Sequence, residues 1–134
     1  MELVNPPSLA KPRGYSHGAV ARGRVLALAG QIGWDASARL VSAELAPQFA
    51  QALANLVETL KAAGGRAEDL ISLRIYVTDK RRYLASSKEV GEAYRRLLGR
   101  HFPAMALVQV ADLLEDGALV EIEGLAVLPD EVMV

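Results

Sequence analysis

The segment "LISLRIYVTD", residues 70–79, limits the possible folds more than any other feature of the sequence. Its apolar side chains recur at every second position, at Ile71, Leu73, Ile75 and Val77. The alternate positions carry Ser72, Arg74, Tyr76 and Thr78. Because successive side chains of a strand point to opposite faces, this alternation predicts a half-buried β-strand. The fold must therefore contain a sheet with one face packed on an apolar layer.

A helical pattern precedes this strand. Between Ser42 and Gly65, five apolar residues have the spacing of one helix face, namely Phe49, Leu53, Leu56, Val57 and Leu60. Gly64 and Gly65 end this first helix. Pro47 is expected in its first turn, where a missing N–H costs least.

A second helix is predicted after the strand, within "SSKEVGEAYRRLLG", residues 86–99. Ser86 and Glu89 have the spacing of a capping box. The buried stripe of this helix consists of Val90, Tyr94, Leu97 and Leu98. The helix is expected to end near Gly99.

Four further strands complete the pattern. After an irregular lead-in over 1–13, "RGYSHGAVARG" contains a short strand, which a turn at Gly23 joins to a second strand in "RVLALAGQIG". "MALVQVADLL" and "GALVEIEGLAVLP" predict two more strands, joined through Glu115, Asp116 and Gly117. The order β-β-α-β-α-β-β predicts a single α+β domain over 1–134, with one sheet and two helices on one face.

The second face of that sheet also needs a cover. The strand segments "VLALAG" and "GLAVL" are apolar at both odd and even positions. Two amphipathic helices cover only one face of a sheet, so the other face requires another partner. Another copy of the same chain is the simplest candidate, which predicts a homo-oligomer.

Composition excludes several classes of function. Fifteen basic and sixteen acidic residues leave a net charge of −1, which gives no electrostatic footprint for nucleic acid or an anionic membrane. The basic run "DKRRY", residues 79–83, is interpreted as a solvated loop. There is no cysteine, and the two histidines lie far apart in the sequence, so no metal-ligand spacing is present. The lack of ligand spacing predicts no metal site. We also expect a cytoplasmic protein, since no signal-peptide or membrane-length segment is present.

Two short motifs remain as candidates for chemistry. In "VEIE", Glu121 and Glu123 share the face opposite Val120 and Ile122, so these carboxylates lie either at the solvent rim or in a site. In "GYSHG", residues 14–18, glycines bracket a tyrosine and a histidine, which form either a plain turn or part of a binding site.

These motifs, in this order, resemble those of the Rid proteins, also called the YjgF family. The similar stretches are "GYSHG", "LALAGQIG", "QALANLVETLKAAGG", "LISLRIYVTD", "FPAMALVQV" and "VEIEGLAV", which together extend over nearly the whole chain. The resemblance implies a homotrimer whose sheets face inward, with three clefts between subunits. It also implies hydrolysis of reactive imines and enamines, such as 2-aminoacrylate, without a cofactor.

The resemblance also assigns site residues. It implies that Glu121 handles the attacking water, that Tyr15 lies nearby and that Gly30 contributes cleft backbone. The family's substrate-binding arginine, which follows "FPA", is replaced here by Met105. A bidentate arginine–carboxylate pair contributes roughly 1.5 to 3 kcal/mol, and an unpaired buried carboxylate costs several more. The absence of the arginine should therefore weaken binding of an acidic substrate at least about a hundredfold.

Further departures point in the same direction. Leu107 stands where many members carry cysteine, His17 replaces a common glutamine, and about four residues are inserted between Tyr83 and Tyr94. The expected ligand is therefore a small neutral or apolar metabolite. Three hypotheses stay open: an imine hydrolase that uses Glu121, a non-catalytic binding or regulatory trimer, and a cleft closed by the apolar side chains at positions 105 and 107.

A substitute for the missing arginine is conceivable. Arg74 lies on the polar face of its strand, and Arg13 precedes the "GYSHG" motif. Either side chain could reach a cleft, although a solvated surface position is the more common role for an arginine in such a place.

Overall fold

A computed structural model of the chain describes residues 1–130. The strands are β1 (Glu2–Val4), β2 (Gly18–Val20), β3 (Arg24–Ile32), β4 (Leu70–Val77), β5 (Ala104–Gln109) and β6 (Val120–Leu128). The helices are α1 (Leu45–Ala62), α2 (Lys80–Ala85) and α3 (Ser87–Leu98), and a 3₁₀ turn covers Ala67–Asp69. The last four residues of the domain predicted over 1–134 lie outside the described residues.

The main sheet has four strands in the order β3-β6-β4-β5. Its only parallel pair is β4 with β5, and β6 runs antiparallel to both of its neighbours. Helices α1 and α3 pack on one face through a continuous apolar core, whose largest fully buried side chains include Phe49, Leu53, Leu56, Leu60 and Leu73. The structure therefore confirms the α+β class with one mixed sheet and two main helices.

The predicted pairing of the first two strands is wrong. Strand β2 pairs with β1, which forms in the lead-in that was expected to be irregular, and the two make a separate sheet. Strand β3 instead pairs with β6. The reason lies at Gly23, where φ is +150° and a Cβ would collide with the carbonyl oxygen of Leu128. The chain changes direction there and docks against the end of β6, so no hairpin forms.

The prediction for α1 is confirmed in detail. All five residues of its predicted stripe are buried, and Pro47 lies in its first turn. In β4, the buried positions Leu73, Ile75 and Val77 also agree with the alternation. At the start of β4 the buried residue is Leu70 instead of Ile71, because a register shift against β6 occurs between Leu70 and Ser72.

Two local predictions around α3 are wrong. The run 79–83, interpreted as a loop, begins helix α2, whose Asp79 side chain accepts hydrogen bonds from the N–H groups of Arg81 and Arg82. The capping box is absent, since the Ser86 side chain makes no capping hydrogen bond. The backbone of Ser86 closes α2 instead, by donating its N–H to the carbonyls of Arg82 and Tyr83. The end of α3 at Gly99 and the burial of its stripe, apart from the partly buried Leu97, agree with expectation.

Among residues 1–130, the face of the sheet opposite the helices carries exposed and half-buried side chains. Its side chains include Leu125 and Val127 from β6, which are half-buried, and Val25 from β3, which is 72% exposed. Val25 and Val127 are register partners, so these apolar side chains form one continuous patch. This geometry matches the apolar second face that the sequence predicts.

Replacement by alanine should change the stability in opposite directions at two glycines, one inside α3 and one just after its end. Gly91 lies inside the helix, and a Cβ there would approach only the flexible end of Arg95, so Gly91→Ala should raise the free energy of unfolding by about 0.5–1 kcal/mol. Gly99 has φ +66° at the helix end, so Gly99→Ala should lower that free energy by roughly 1–2 kcal/mol. Urea unfolding followed by circular dichroism measures both changes. A destabilised Gly91→Ala variant would contradict the described packing around position 91.

Candidate small-molecule site

An apolar pocket of about 290 Å³ opens between α1, α2, α3 and β5. Its floor consists of Phe49, Ile75 and Val90, which are 1%, 2% and 6% exposed. Its sides are formed by Tyr83, Tyr94, Phe102 and Met105. This volume is close to the lower end of the range for small-molecule sites, and the buried apolar floor is typical of such sites.

Two tyrosines of this pocket stay protonated at neutral pH. The Tyr94 ring stacks on Phe102 with centroids 5.4 Å apart, and its hydroxyl donates to the carbonyl of His101 at 2.6 Å. Burial raises the pKa of Tyr94 well above its usual value. Burial also raises the pKa of Tyr83. The pocket thus presents neutral aromatic walls to a ligand.

Met105 lies at the boundary between two concavities. It stands beside Leu73 in the parallel β4–β5 pair, is half-buried and packs against the core. Besides the apolar pocket, it lines a shallower polar hollow of about 390 Å³, together with Tyr15, His17 and Arg74. The structure thus brings Met105, Tyr15 and His17 together. Leu107 packs against the core on the same strand and stands beside Ile75.

The polar hollow contains an ordered aromatic pair. The rings of Tyr15 and His17 meet edge to face, with centroids 5.4 Å apart and planes at 83°. His17 Nε2 lies 2.7 Å from the carbonyl oxygen of Ala10. Since a carbonyl oxygen only accepts, Nε2 carries a proton in this contact and leaves Nδ1 for other partners.

Hydrogen bonds through Ser16 fasten the "GYSHG" motif to the "FPAM" segment. The Ser16 hydroxyl donates to the carbonyl of Phe102 at 2.6 Å, and its N–H donates to the carbonyl of Pro103 at 3.0 Å. Ser16 is 4% exposed, so these bonds are shielded from water. The two motifs, distant in sequence, form one structural unit.

Glu121 belongs to a different face of the sheet. It is half-buried on the open side of β6, next to Gly30 of β3, where a Cβ would lie 2.9 Å from the Glu121 carboxyl carbon. The absence of a side chain at Gly30 therefore makes room for this carboxylate. Met105 is on the helix-facing side, so one chain does not bring Glu121 and Met105 into a common pocket.

The open face also carries a hydrogen-bonded pair that the sequence analysis missed. The Tyr76 hydroxyl donates to Glu123 Oε1 at 2.5 Å, and this bond, aided by burial and the negative charge of Glu123, raises the pKa of Tyr76. Arg74 stands beside Glu123 in the β4–β6 register and is exposed. The alternation of each strand gives the face of these residues, but their pairing depends on the register between strands.

The described residues offer neither a metal cluster nor a membrane-spanning helix. Within residues 1–130, no group of three or more histidine, cysteine, aspartate or glutamate side chains could hold a metal ion. Over the same residues, the helices are too short or too polar to cross a bilayer.

Relatives of known sequence match most of the chain. A family model described as Endoribonuclease L-PSP matches residues 7–128. A human protein named 2-iminobutanoate/2-iminopropanoate deaminase is 36% identical over 110 residues, which cover 81% of this chain and 77% of the human protein. A RutC family protein from Pyrococcus horikoshii is 31% identical over 126 residues, or 93% of this chain and 96% of that relative.

Solved structures match as well. The crystal structure of a protein of unknown function of the Rid family from Yersinia pestis has a TM-score of 0.84 at 32% identity and covers 95% of this chain and 98% of that chain. The YjgF gene product of E. coli has a TM-score of 0.66 at 31% identity, with coverage of 92% and 93%. Sequence and structure agree that the chain belongs to the Rid/YjgF family.

Proposed function

We propose that the protein hydrolyses small imine or enamine metabolites, without a cofactor, in clefts between the subunits of a homotrimer. The observation that carries this proposal is the apolar pocket beside Met105, which is joined through Ser16 to the motif containing Tyr15. The name of the human relative supports the reaction class. The part of the ligand that contacts Met105 is neutral or apolar, because methionine offers no donor to a carboxylate.

The positions of Glu121 and Met105 in the sheet favour a site between subunits. Glu121 and Met105 lie on opposite faces of one sheet, so a ligand that touches both needs Glu121 from one subunit and Met105 from another. The uncovered apolar face around Val25 and Val127 supplies a surface for that association. Closed symmetry with three copies then gives three equivalent clefts.

Glu121 is the general acid and base of the proposed reaction. Its carboxylate accepts a proton from water as the oxygen of that water bonds to the imine carbon. The protonated Glu121 then delivers this proton to the nitrogen. This addition gives a carbinolamine. Glu121 then takes the proton of the carbinolamine hydroxyl group and passes it to the amino nitrogen, so that the C–N bond breaks, ammonia leaves and the carbon becomes a carbonyl group. Tyr15 orients the water or the substrate through its hydroxyl.

The preference for a neutral group at Met105 can be tested with a matched pair of substrates. An amine oxidase acting on isopentylamine and an amino acid oxidase acting on leucine generate imines that differ only in the α-carboxylate. We expect kcat/KM to be at least about tenfold higher for the neutral imine, because the acidic one meets no arginine at position 105. Equal or faster turnover of the acidic imine would contradict the proposal. Hydrolysis of 2-aminoacrylate should likewise be weak or absent.

A non-catalytic role is the second candidate. The specific observation in its favour is that the described lining of the apolar pocket contains no carboxylate, while Met105 supplies an adaptable apolar wall. In that case the trimer binds a small metabolite and regulates a partner. Binding of a ligand without turnover of either imine, beside an active arginine-containing relative, would favour this function.

A further inference from the structure

We propose that Arg95 binds an anionic group of the ligand at the mouth of the apolar pocket. The preferred ligand is then an amphipathic acid whose carboxylate is separated from its reactive end by an apolar body. This inference rests on the proposed function in one respect, since it takes the apolar pocket as the ligand site, and it names the substrate class more closely.

The pocket has a clear gradient of polarity from floor to mouth. The floor residues are buried and apolar, whereas the lining residues Gly14, Ser87 and Arg95 are exposed. Among the described residues that line the pocket, Arg95 alone is charged. An apolar body therefore fits the floor, and a negative group fits the mouth.

The helix is built so that the Arg95 guanidinium lies along its surface. Gly91 precedes Arg95 by one helical turn, and the Arg95 Nη1 atom lies only 3.2 Å from the place where a Cβ of residue 91 would stand. Glycine is a poor residue for a helix interior, yet here it leaves space for the guanidinium beside the pocket. The space beside Gly91 thus admits the Arg95 guanidinium, which lines the pocket and stays exposed to solvent.

The guanidinium of Arg95 also has unused binding capacity. Within residues 1–130, no carboxylate oxygen lies within the 4.0 Å that defines a salt bridge to its nitrogens. Guanidinium groups bind carboxylates through paired charge-assisted hydrogen bonds. Because Arg95 is exposed, water and salt weaken this attraction, and we expect a gain in affinity of about two- to fivefold.

The carboxylate recognised here is remote from the reacting carbon. Met105 excludes an acid group next to the imine, whereas Arg95 accepts one at the opposite end of the ligand. The proposed ligand therefore carries its carboxylate far from the imine group. Short imino acids such as 2-aminoacrylate carry it next to the imine group.

Binding of hexanoate and hexanamide tests the proposal. The two probes have nearly the same shape and differ in charge, and NMR titration of the full chain measures both dissociation constants without requiring turnover. We expect hexanoate to bind about two- to fivefold more tightly than hexanamide, and this preference should decrease at high salt. Arg95→Gln should remove the preference, because it lowers the affinity for hexanoate much more than the affinity for hexanamide.

The neighbouring Arg96 provides the matched control. Arg96 is exposed on the same helix and is absent from the pocket lining, and Arg96→Gln removes the same charge from the protein. We expect this variant to keep the preference for hexanoate. A preference that persists in Arg95→Gln, or that is lost equally in both variants, would overturn the proposal. If neither probe binds, the apolar pocket is not the ligand site and this proposal fails. If the probes bind but the protein hydrolyses no imine, only the catalytic proposal fails.

Discussion

Replacement of Glu121 by glutamine is expected to lower kcat for imine hydrolysis by a factor of about 10² to 10⁴. Glutamine keeps the size of the side chain and its place beside Gly30, but it cannot accept the proton of the attacking water. The change therefore removes the proposed chemistry and should leave the fold intact. The rate of ammonia release, measured with the imine of isopentylamine, gives the effect directly.

Glu123→Gln is the control for this experiment. Glu123 shares the strand and the face of Glu121, but its carboxylate is occupied by the Tyr76 hydroxyl, and glutamine can still accept that hydrogen bond. We expect its rate to stay within about threefold of the wild type. A wild-type rate in Glu121→Gln would remove Glu121 from the mechanism, while equal losses in both variants would indicate a general effect on the open face.

A mixture of two inactive variants tests whether each site takes its apolar pocket from one subunit and Glu121 from another. Met105→Trp should fill the apolar pocket, and Glu121→Gln should remove the acid and base. If each site takes its pocket and its carboxylate from different subunits, random mixed trimers regain about one quarter of the wild-type sites. No recovered activity in verified mixed trimers would place both residues of a site in one subunit.

Replacement of Met105 by arginine is expected to raise kcat/KM for 2-aminoacrylate by about ten- to a hundredfold. The arginine can form charge-assisted hydrogen bonds with the substrate carboxylate, which contribute roughly 1.5–3 kcal/mol. Coupled detection of pyruvate measures this gain. Activity on the neutral imine should not increase, because that substrate has no carboxylate.

The same substitution has a structural cost. Position 105 is half-buried, and the described lining of the apolar pocket offers no carboxylate to the new charge. We expect a loss of about 1–3 kcal/mol in the free energy of unfolding when no anion is bound. Met105→Gln is the matched control, since it adds polarity without charge and should not raise turnover of the acidic substrate. A folded Met105→Arg trimer without any gain would show that residue 105 does not contact the substrate carboxylate.

Much of the fold could be predicted because its patterns are local. The alternation in β4 and the stripe of α1 each follow from the geometry of a single element, and both are present in the structure. The pairings of β2 with β1 and of β3 with β6 could not be predicted in this way, because they join segments that are separated in the sequence. Helix α2 was missed although Asp79 carries the N-cap signal, because the basic run after it was interpreted as a solvated loop.

In the candidate site, too, local features could be predicted, whereas the arrangement of distant segments could not. The motifs containing Tyr15 and Met105 could be singled out one by one, and the structure brings these residues to one hollow. Their position relative to Glu121 could not be predicted, because it depends on strand order and on which side of the sheet the helices occupy. Arg95 was missed for a related reason. Its spacing from Gly91 is visible in the sequence, but the apolar floor beneath it comes from distant segments.

The hydrogen bond between Ser16 and Phe102 also affects when the site forms during folding. It joins residues that are 86 positions apart, so the chain must close a very long loop before the bond can contribute. Contacts of such large sequence separation form slowly, after local helices and turns. The segment that carries Tyr15 can dock only once the chain around Phe102 has reached the sheet. The helices should therefore form before the chain is able to bind a ligand.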